Sequence, residues 1–151
     1  AVLAEARRVL QPGGRLLFCV PNGGYYTALS IASLLERIGL KRLGQAYRAW
    51  FGSMSLVYHA DPPEVWEARL ARAGFALDDW WHYFSPAAMR ALEWGHFFGV
   101  PALLARKLTG RWVLAPTRWN LALTARYARR YAAAERLPDG VFTFFVARKQ
   151  E

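Results

Sequence analysis

The sequence predicts an α/β fold with few strands, and three observations carry that prediction. Arg15-Leu16-Leu17-Phe18-Cys19-Val20 is a short apolar run set between Pro12-Gly13-Gly14 and Pro21-Asn22-Gly23-Gly24, and a strand covered on both faces lacks polar alternation. Val141-Phe142-Thr143-Phe144-Phe145-Val146-Ala147 is rich in strand-favouring residues and follows Pro138-Asp139-Gly140, which can form a turn. Several segments between them carry apolar residues at helical spacing. The chain has 151 residues, 54% hydrophobic and 15% aromatic, which is material for one packed core and excludes disorder. Its longest apolar runs, Leu16 to Val20 and Phe97 to Ala105, fall short of the roughly 18 to 20 residues that cross a bilayer.

Val2, Ala6, Val9 and Leu10 recur at helical spacing, and the helix stops at Pro12-Gly13-Gly14 because proline lacks an N–H and glycine accepts left-handed dihedrals. Residues 15–20 are then expected as a central strand with helices on both sides. Cys19, the only cysteine, makes no internal disulfide and is read as a small core residue. Leu29, Ile31, Leu34, Leu35 and Ile38 mark a helix ended by Gly39, whereas Lys41 to Ser55 is aromatic, basic and aperiodic and is read as a mobile insertion. Asp61 is expected to cap the next helix, with Pro62 in its first turn, Glu64 in capping-box position, and Trp66, Leu70 and Ala73 as its buried stripe. Gly74 ends it, and a strand at 75–84 is expected to pair antiparallel with one at 141–148.

Phe84, Ser85, Pro86 and Met89 have the layout of a hydrophobic staple around a capped helix start, which places Met89, Leu92 and His96 on one face. A further helix, at about Trp119 to Arg136, carries Arg126, Arg129 and Arg130 on one side and Leu123, Tyr127 and Tyr131 on the other. Residues 85–136 should be mostly helical. The formal charge of +9 is concentrated here, since no acidic residue lies between Glu93 and Glu135. Such a field attracts polyanions, whether an anionic membrane, nucleic acid or an acidic substrate. No recognisable nucleic-acid module accompanies it, so nucleic acid is not the expected partner.

The order of pieces then becomes recognisable. Leu3-Ala4-Glu5-Ala6-Arg7-Arg8-Val9-Leu10-Gln11-Pro12-Gly13-Gly14-Arg15-Leu16-Leu17-Phe18 resembles the helix, Pro-Gly-Gly turn and fifth strand of class I S-adenosylmethionine-dependent methyltransferases, nearest to the small-molecule branch. His59 followed by Asp61-Pro62-Pro63-Glu64-Val65-Trp66, and then Leu70-Ala71-Arg72-Ala73-Gly74-Phe75, is similar to that family's next helix and its Ala-Gly-Phe lead into the sixth strand. Phe142 to Lys149 would be the antiparallel seventh strand. The resemblance covers residues 1–84 and 140–149 and implies a Rossmann-like sheet in its C-terminal part, strands 5, 6 and 7. Residues 1–151 are then a single partial domain, with a mostly helical insertion at 85–139. The family's glycine-rich loop and the acidic residue that holds the cofactor ribose have no counterpart here, and Gly13 and Gly14 precede a strand where the cofactor loop follows one. The start at Ala1, already helical in pattern and without an initiator Met, reads as that of a fragment. The implied protein is the substrate-side portion of a methyltransferase, inactive alone, whose S-adenosylmethionine is held mainly by preceding elements.

Methyl transfer from a sulfonium is an in-line displacement, so the protein chiefly aligns donor and acceptor, and a base is needed only where the acceptor loses a proton. Imidazole is the side chain suited to proton transfer near neutral pH, and the resemblance places a histidine at the site's mouth, which makes His59 the catalytic candidate. A capping or loop-bracing histidine is the structural counter-reading. Asn22, Tyr25 and Tyr26 follow the first strand, where open sheets bind ligands, and with Tyr58 they are the candidate substrate-binding residues. Tyr47, Trp50 and Phe51 extend them into an aromatic lid over an apolar acceptor, unless these residues simply pack. Val20-Pro21-Asn22-Gly23 departs from the Asn-Pro-Pro-Tyr pattern of base amino-group methylation, so a small lipophilic or aromatic acceptor is expected instead. His96 is read as a core or hydrogen-bonded residue, His82 has no assigned role, and no metal-site spacing is present. A different class of function is a basic amphipathic module that docks on an anionic membrane or RNA without catalysis. The expected location is cytoplasmic, with peripheral membrane contact through Arg126, Arg129 and Arg130.

Overall fold

A computed structural model of the protein describes residues 2–112, 117–132 and 136–151. In chain order it contains α1 (Val2–Val9), β1 (Arg15–Pro21), α2 (Gly24–Thr27), α3 (Ser30–Arg37), α4 (Lys41–Met54), α5 (Pro63–Arg72), β2 (Phe75–Tyr83), α6 (Pro86–Phe98), α7 (Val100–Thr109), α8 (Arg118–Arg129) and β3 (Phe142–Lys149). The fold is α/β, with a three-stranded sheet in the order β1-β3-β2. β3 is antiparallel to both neighbours, so β1 and β2 run parallel to each other. The strands expected at 15–20, 75–84 and 141–148 are present, and the last two pair antiparallel as expected. No strand occurs among the described residues of 102–134.

One sheet face is closed by α1 and α5. Leu70, Phe75 and Ala147 are fully buried there, and Leu3, Ala6, Leu10, Leu16, Phe18 and Ala73 pack on them. Phe18 stacks on its cross-strand partner Phe145 at 5.1 Å, and Trp66 of α5 lies 5.5 Å from Phe18. The other face corrects the expectation of a central, doubly covered strand. β1 lies at the edge of this sheet, Leu17 is 58% exposed, and Cys19 is exposed and not a core residue. The reason is that α1 and α5 both dock on the Leu16/Phe18 side, which leaves the alternate residues uncovered by described elements.

The second core lies beyond the carboxyl end of β1 and is helical. Tyr25, Ala28, Leu29, Ala32, Phe51, Met89 and Val141 form it, with Tyr26, Tyr47 and Phe84 against them. Residues 41–54, expected as a mobile insertion, are instead helix α4. Its inward positions are 44, 47, 48, 51 and 52, which is helical spacing, but glycine fills two of them and arginine another. A Cβ at Gly44 would lie 3.0 Å from the Ala32 carbonyl oxygen, so glycine permits the close approach of α3. The apolar pattern of α3 also misleads, because Leu34 and Ile38 are exposed while Leu29 and Ala32 are buried.

The helix starts differ in how they are capped. Ser85 caps α6 as expected, accepting from Ala88 N at 3.1 Å, with Phe84 and the buried Met89 beside it. Asp61 does not cap α5. The N-cap is Pro62, and Pro63 has no N–H to offer, so the Asp61 carboxylate pairs with Arg69 Nη1 at 2.7 Å instead. α8 ends at Arg129, earlier than the expected 136, and the Leu123 side chain and residues 133–135 lie outside the described ones.

Candidate functional site

The carboxyl end of β1 leads directly into Asn22, which is 7% exposed. Its Nδ2 donates to the Gly140 carbonyl at 3.0 Å and to Thr143 Oγ1 at 3.2 Å, and lies 3.1 Å from His82 Nδ1. Its Oδ1 accepts from Gly24 N at 2.8 Å. The amide has two N–H groups for the three neighbours Gly140, Thr143 and His82, and His82 Nδ1 also lies 2.8 Å from Thr143 Oγ1, so the four groups form one hydrogen-bonded network. All of Asn22's polar atoms are thus committed to a latch between β1, β2 and the turn before β3. Gly140 is required in that latch, since a Cβ there would lie 2.5 Å from Tyr83 N.

Beside the latch, a cavity of about 600 Å³ opens between Val20, Pro21, Tyr25, Tyr58, His59 and Trp66. Leu56 adopts φ +55° after α4 and redirects the chain, so that Val57 to His59 run along the cavity wall. Tyr26 Oη donates to the Val57 carbonyl at 3.3 Å and steadies that wall from outside. Tyr25 is a core residue whose ring meets Tyr26 and Phe142 edge-on. Burial pushes its phenol above the ordinary range, and a hydrogen bond with Ser55 partly opposes that shift. His59 is 63% exposed at the rim, with Nδ1 3.5 Å from Asp61 Oδ2, the carboxylate that also holds Arg69. Tyr58 is 79% exposed.

Three of the five expected site residues, Tyr25, Tyr58 and His59, therefore share one cavity. Asn22 lines a separate one of about 320 Å³ with Pro62, Pro63 and Asp139, and Tyr26 lines neither. Of the expected aromatic lid, Phe51 is buried core, Tyr47 packs against it, and Trp50 lies on a third cavity of about 770 Å³ between α4, α6 and α7. Leu92 and His96 line both that cavity and the 600 Å³ one. His96, expected as a core or hydrogen-bonded residue, is exposed yet hydrogen-bonded, and its ring lies 5.4 Å from that of the buried Phe51. Its Nδ1 lies 2.8 Å from the Leu92 carbonyl, which can only accept, so the ring N–H is at Nδ1.

Sequence reasoning missed Glu93. It is fully buried, and its carboxylate accepts from Ser30 N at 2.7 Å, Ser30 Oγ at 2.6 Å and Ile31 N at 3.2 Å. α3 begins after Leu29, which has no capping side chain, so α6 supplies the cap. Burial and the adjacent Glu93 charge together raise the Tyr47 phenol well above its ordinary range. The one available signal was a single acid between Leu92 and Trp94 in a largely apolar helix whose other polar residues are Arg90 and His96.

Among the described residues no cluster of three His, Cys, Asp or Glu side chains suits a metal ion, and no helix is long and apolar enough to cross a membrane. Arg126, Arg129 and Arg130 are exposed, as is Tyr127, whose ring lies 5.4 Å from that of Tyr131. No family model, no curated protein and no solved structure matches the chain.

Proposed function

We propose that this chain is the C-terminal, substrate-side portion of an S-adenosylmethionine-dependent methyltransferase that acts on a small lipophilic or aromatic acceptor. The observation that carries the reading is the sheet. One strand begins after Pro12-Gly13-Gly14, a second after Ala73-Gly74, and the last strand lies between them, antiparallel to both, with α1 and α5 on a single face. In the resemblance these are the fifth, sixth and seventh strands of a Rossmann-like sheet. The 600 Å³ cavity opens at the carboxyl end of the first of them, where open α/β sheets bind ligands.

The described residues do not themselves fit the cofactor. A Cβ at Gly23 would meet no atom within 4 Å, and one at Gly24 would meet Asn22 and Val141, so neither glycine forms a cradle for a bound group. The reading accordingly assigns the cofactor to elements other than these and gives this portion the acceptor. Aromatic walls from Tyr25, Trp66 and Phe142 hold a ring and exclude water. His59, with Asp61 on its Nδ1 side, takes a proton from an acceptor hydroxyl through Nε2.

The test has two arms. This chain alone should bind S-adenosylmethionine negligibly in calorimetry, and micromolar affinity would overturn the division of labour. A protein carrying this chain together with the cofactor elements should transfer labelled methyl to hydroxyaromatic acceptors, and H59A should lower turnover about 100-fold or more while cofactor affinity holds. No transfer to any such acceptor sinks the reading.

A second reading, a basic module docking on an anionic membrane, is favoured by the exposed Leu104, Leu108, Trp112 and Trp119 beside Arg106, Lys107, Arg111 and Arg118. Replacing Arg126, Arg129 and Arg130 by Gln should then reduce sedimentation with anionic liposomes at low salt. Wild-type protein that stays in the supernatant removes it.

A further inference from the structure

We propose that the 600 Å³ and 770 Å³ cavities form one site for an aromatic hydroxyl compound with a long hydrocarbon tail, the ring beside Tyr58 and His59 and the tail in the groove between α4 and α6–α7. The proposal rests on the acceptor-side reading above and names the substrate class. Leu92 and His96 line both cavities, so the two lie side by side with these side chains at their boundary, and the proposed ligand passes them. Their chemistry differs. The first offers polar atoms at Ser55, Tyr58 and His59, whereas the second is walled by Trp50, Met54, Phe97, Leu103 and Trp112. Single ligand sites are typically about 300–1,000 Å³, so either cavity alone accommodates a one-ring acceptor, and the second is surplus unless the acceptor is long.

Two details at the junction suit a hydrocarbon. The His96 ring N–H is already given to the Leu92 carbonyl at 2.8 Å, so a methylene chain lying against the ring strands no donor. Gly95, one turn before Gly99 on α6, lines the larger cavity, and a Cβ there would meet no atom within 4 Å. Glycine costs an α-helix about 1 kcal/mol relative to alanine. No backbone contact needs it at Gly95, and its effect is to keep the groove open.

The experiment measures binding of 4-alkylphenols of increasing chain length to this chain by calorimetry, below the concentration at which the phenols self-associate. Each methylene buried in the groove should tighten the dissociation constant about fourfold until the groove is full. Gly95→Leu fills the groove with a better helix former, so its melting temperature should not fall. It should bind the shortest phenols like the wild type and lose the chain-length gain. Leu103→Gln, at a half-exposed position, should weaken only the long homologues. Affinity independent of chain length, or an undiminished gain in Gly95→Leu, overturns the tail site. The methyltransferase reading fails on a different result, since chain-length-dependent binding with no methyl transfer by the longer protein would leave the tail site standing alone.

Discussion

The sheet region and the helical region are held together in opposite ways. Under the sheet, Phe18, Trp66 and Phe145 stack through side chains whose positions follow from strand alternation and one helix stripe. The helical region buries a carboxylate at its centre, closes α3 against α4 through Gly44, and leaves Trp50, Leu92, Phe97 and Leu103 partly exposed around a cavity. A region whose apolar groups satisfy one another is a scaffold. The helical region instead sets large open apolar groups beside a polar cap; the 770 Å³ cavity lies within it, and the 600 Å³ cavity lies where it meets Val20, Pro21, Trp66 and Phe142 of the sheet region.

The sharpest break between the two comes from truncating one apolar residue in each. Phe145→Ala, at a fully buried position against Phe18 and Trp66, should cost about 3–5 kcal/mol in urea unfolding. Leu103→Ala, at a position 45% exposed, should stay within about 0.5 kcal/mol. Equal losses would mean that the groove side is as tightly packed as the sheet, and the contrast would go.

A smaller but more specific effect is expected at Glu93. Glu93→Ala leaves the Ser30 and Ile31 N–H groups without their acceptor and should cost about 3 kcal/mol, with Glu93→Gln recovering part because the amide oxygen still accepts. Hydrogen exchange should report the loss in α3 and α4 before β1 and β3. A loss spread evenly over the sheet would show that the two cores unfold as one.

What was legible in the sequence follows the same division. The three strands could be read because a strand's signal is local: apolar or β-branched runs bounded by Pro12-Gly13-Gly14, Gly74 and Pro138-Asp139-Gly140. That β1 lies at an edge with Leu17 and Cys19 uncovered could not be read, because what covers a face depends on where distant helices dock. α4 was hidden because two of its buried positions are Gly44 and Gly52, which a search for apolar period does not count. Tyr25 was reachable from the general tendency of strand ends to line ligand clefts, whereas His59 came from the family resemblance and Tyr58 from its place among neighbouring aromatic residues. His96 and Glu93 were not reachable, since their surroundings arise from the docking of α6 on segments about 60 residues away. Asn22 was singled out as a ligand residue, yet its partners at Gly140 and Thr143, 118 and 121 residues away, tie it into the latch.

The smallest expected effect separates the regions by pH. Burial raises both Tyr47 and Tyr83 above the ordinary phenol range, with Glu93 adding to the first and the Cys19 thiol to the second. A folded-state pKa above the unfolded value of about 10 means that the native state holds its proton longer. The associated stability is therefore complete below about pH 10 and declines as the pH rises above it, by at most about 1.4 kcal/mol per pH unit for each phenol. Tyr47→Phe should flatten the alkaline limb of a urea-midpoint profile, and so should Tyr83→Phe. The two differ in their dependence on Glu93. In a Glu93→Gln background the charge that opposes Tyr47 ionisation is gone, so the flattening by Tyr47→Phe should shrink while that by Tyr83→Phe stays. If Glu93→Gln leaves both effects unchanged, burial alone holds the Tyr47 proton, and Glu93 acts on α3 without touching the phenol.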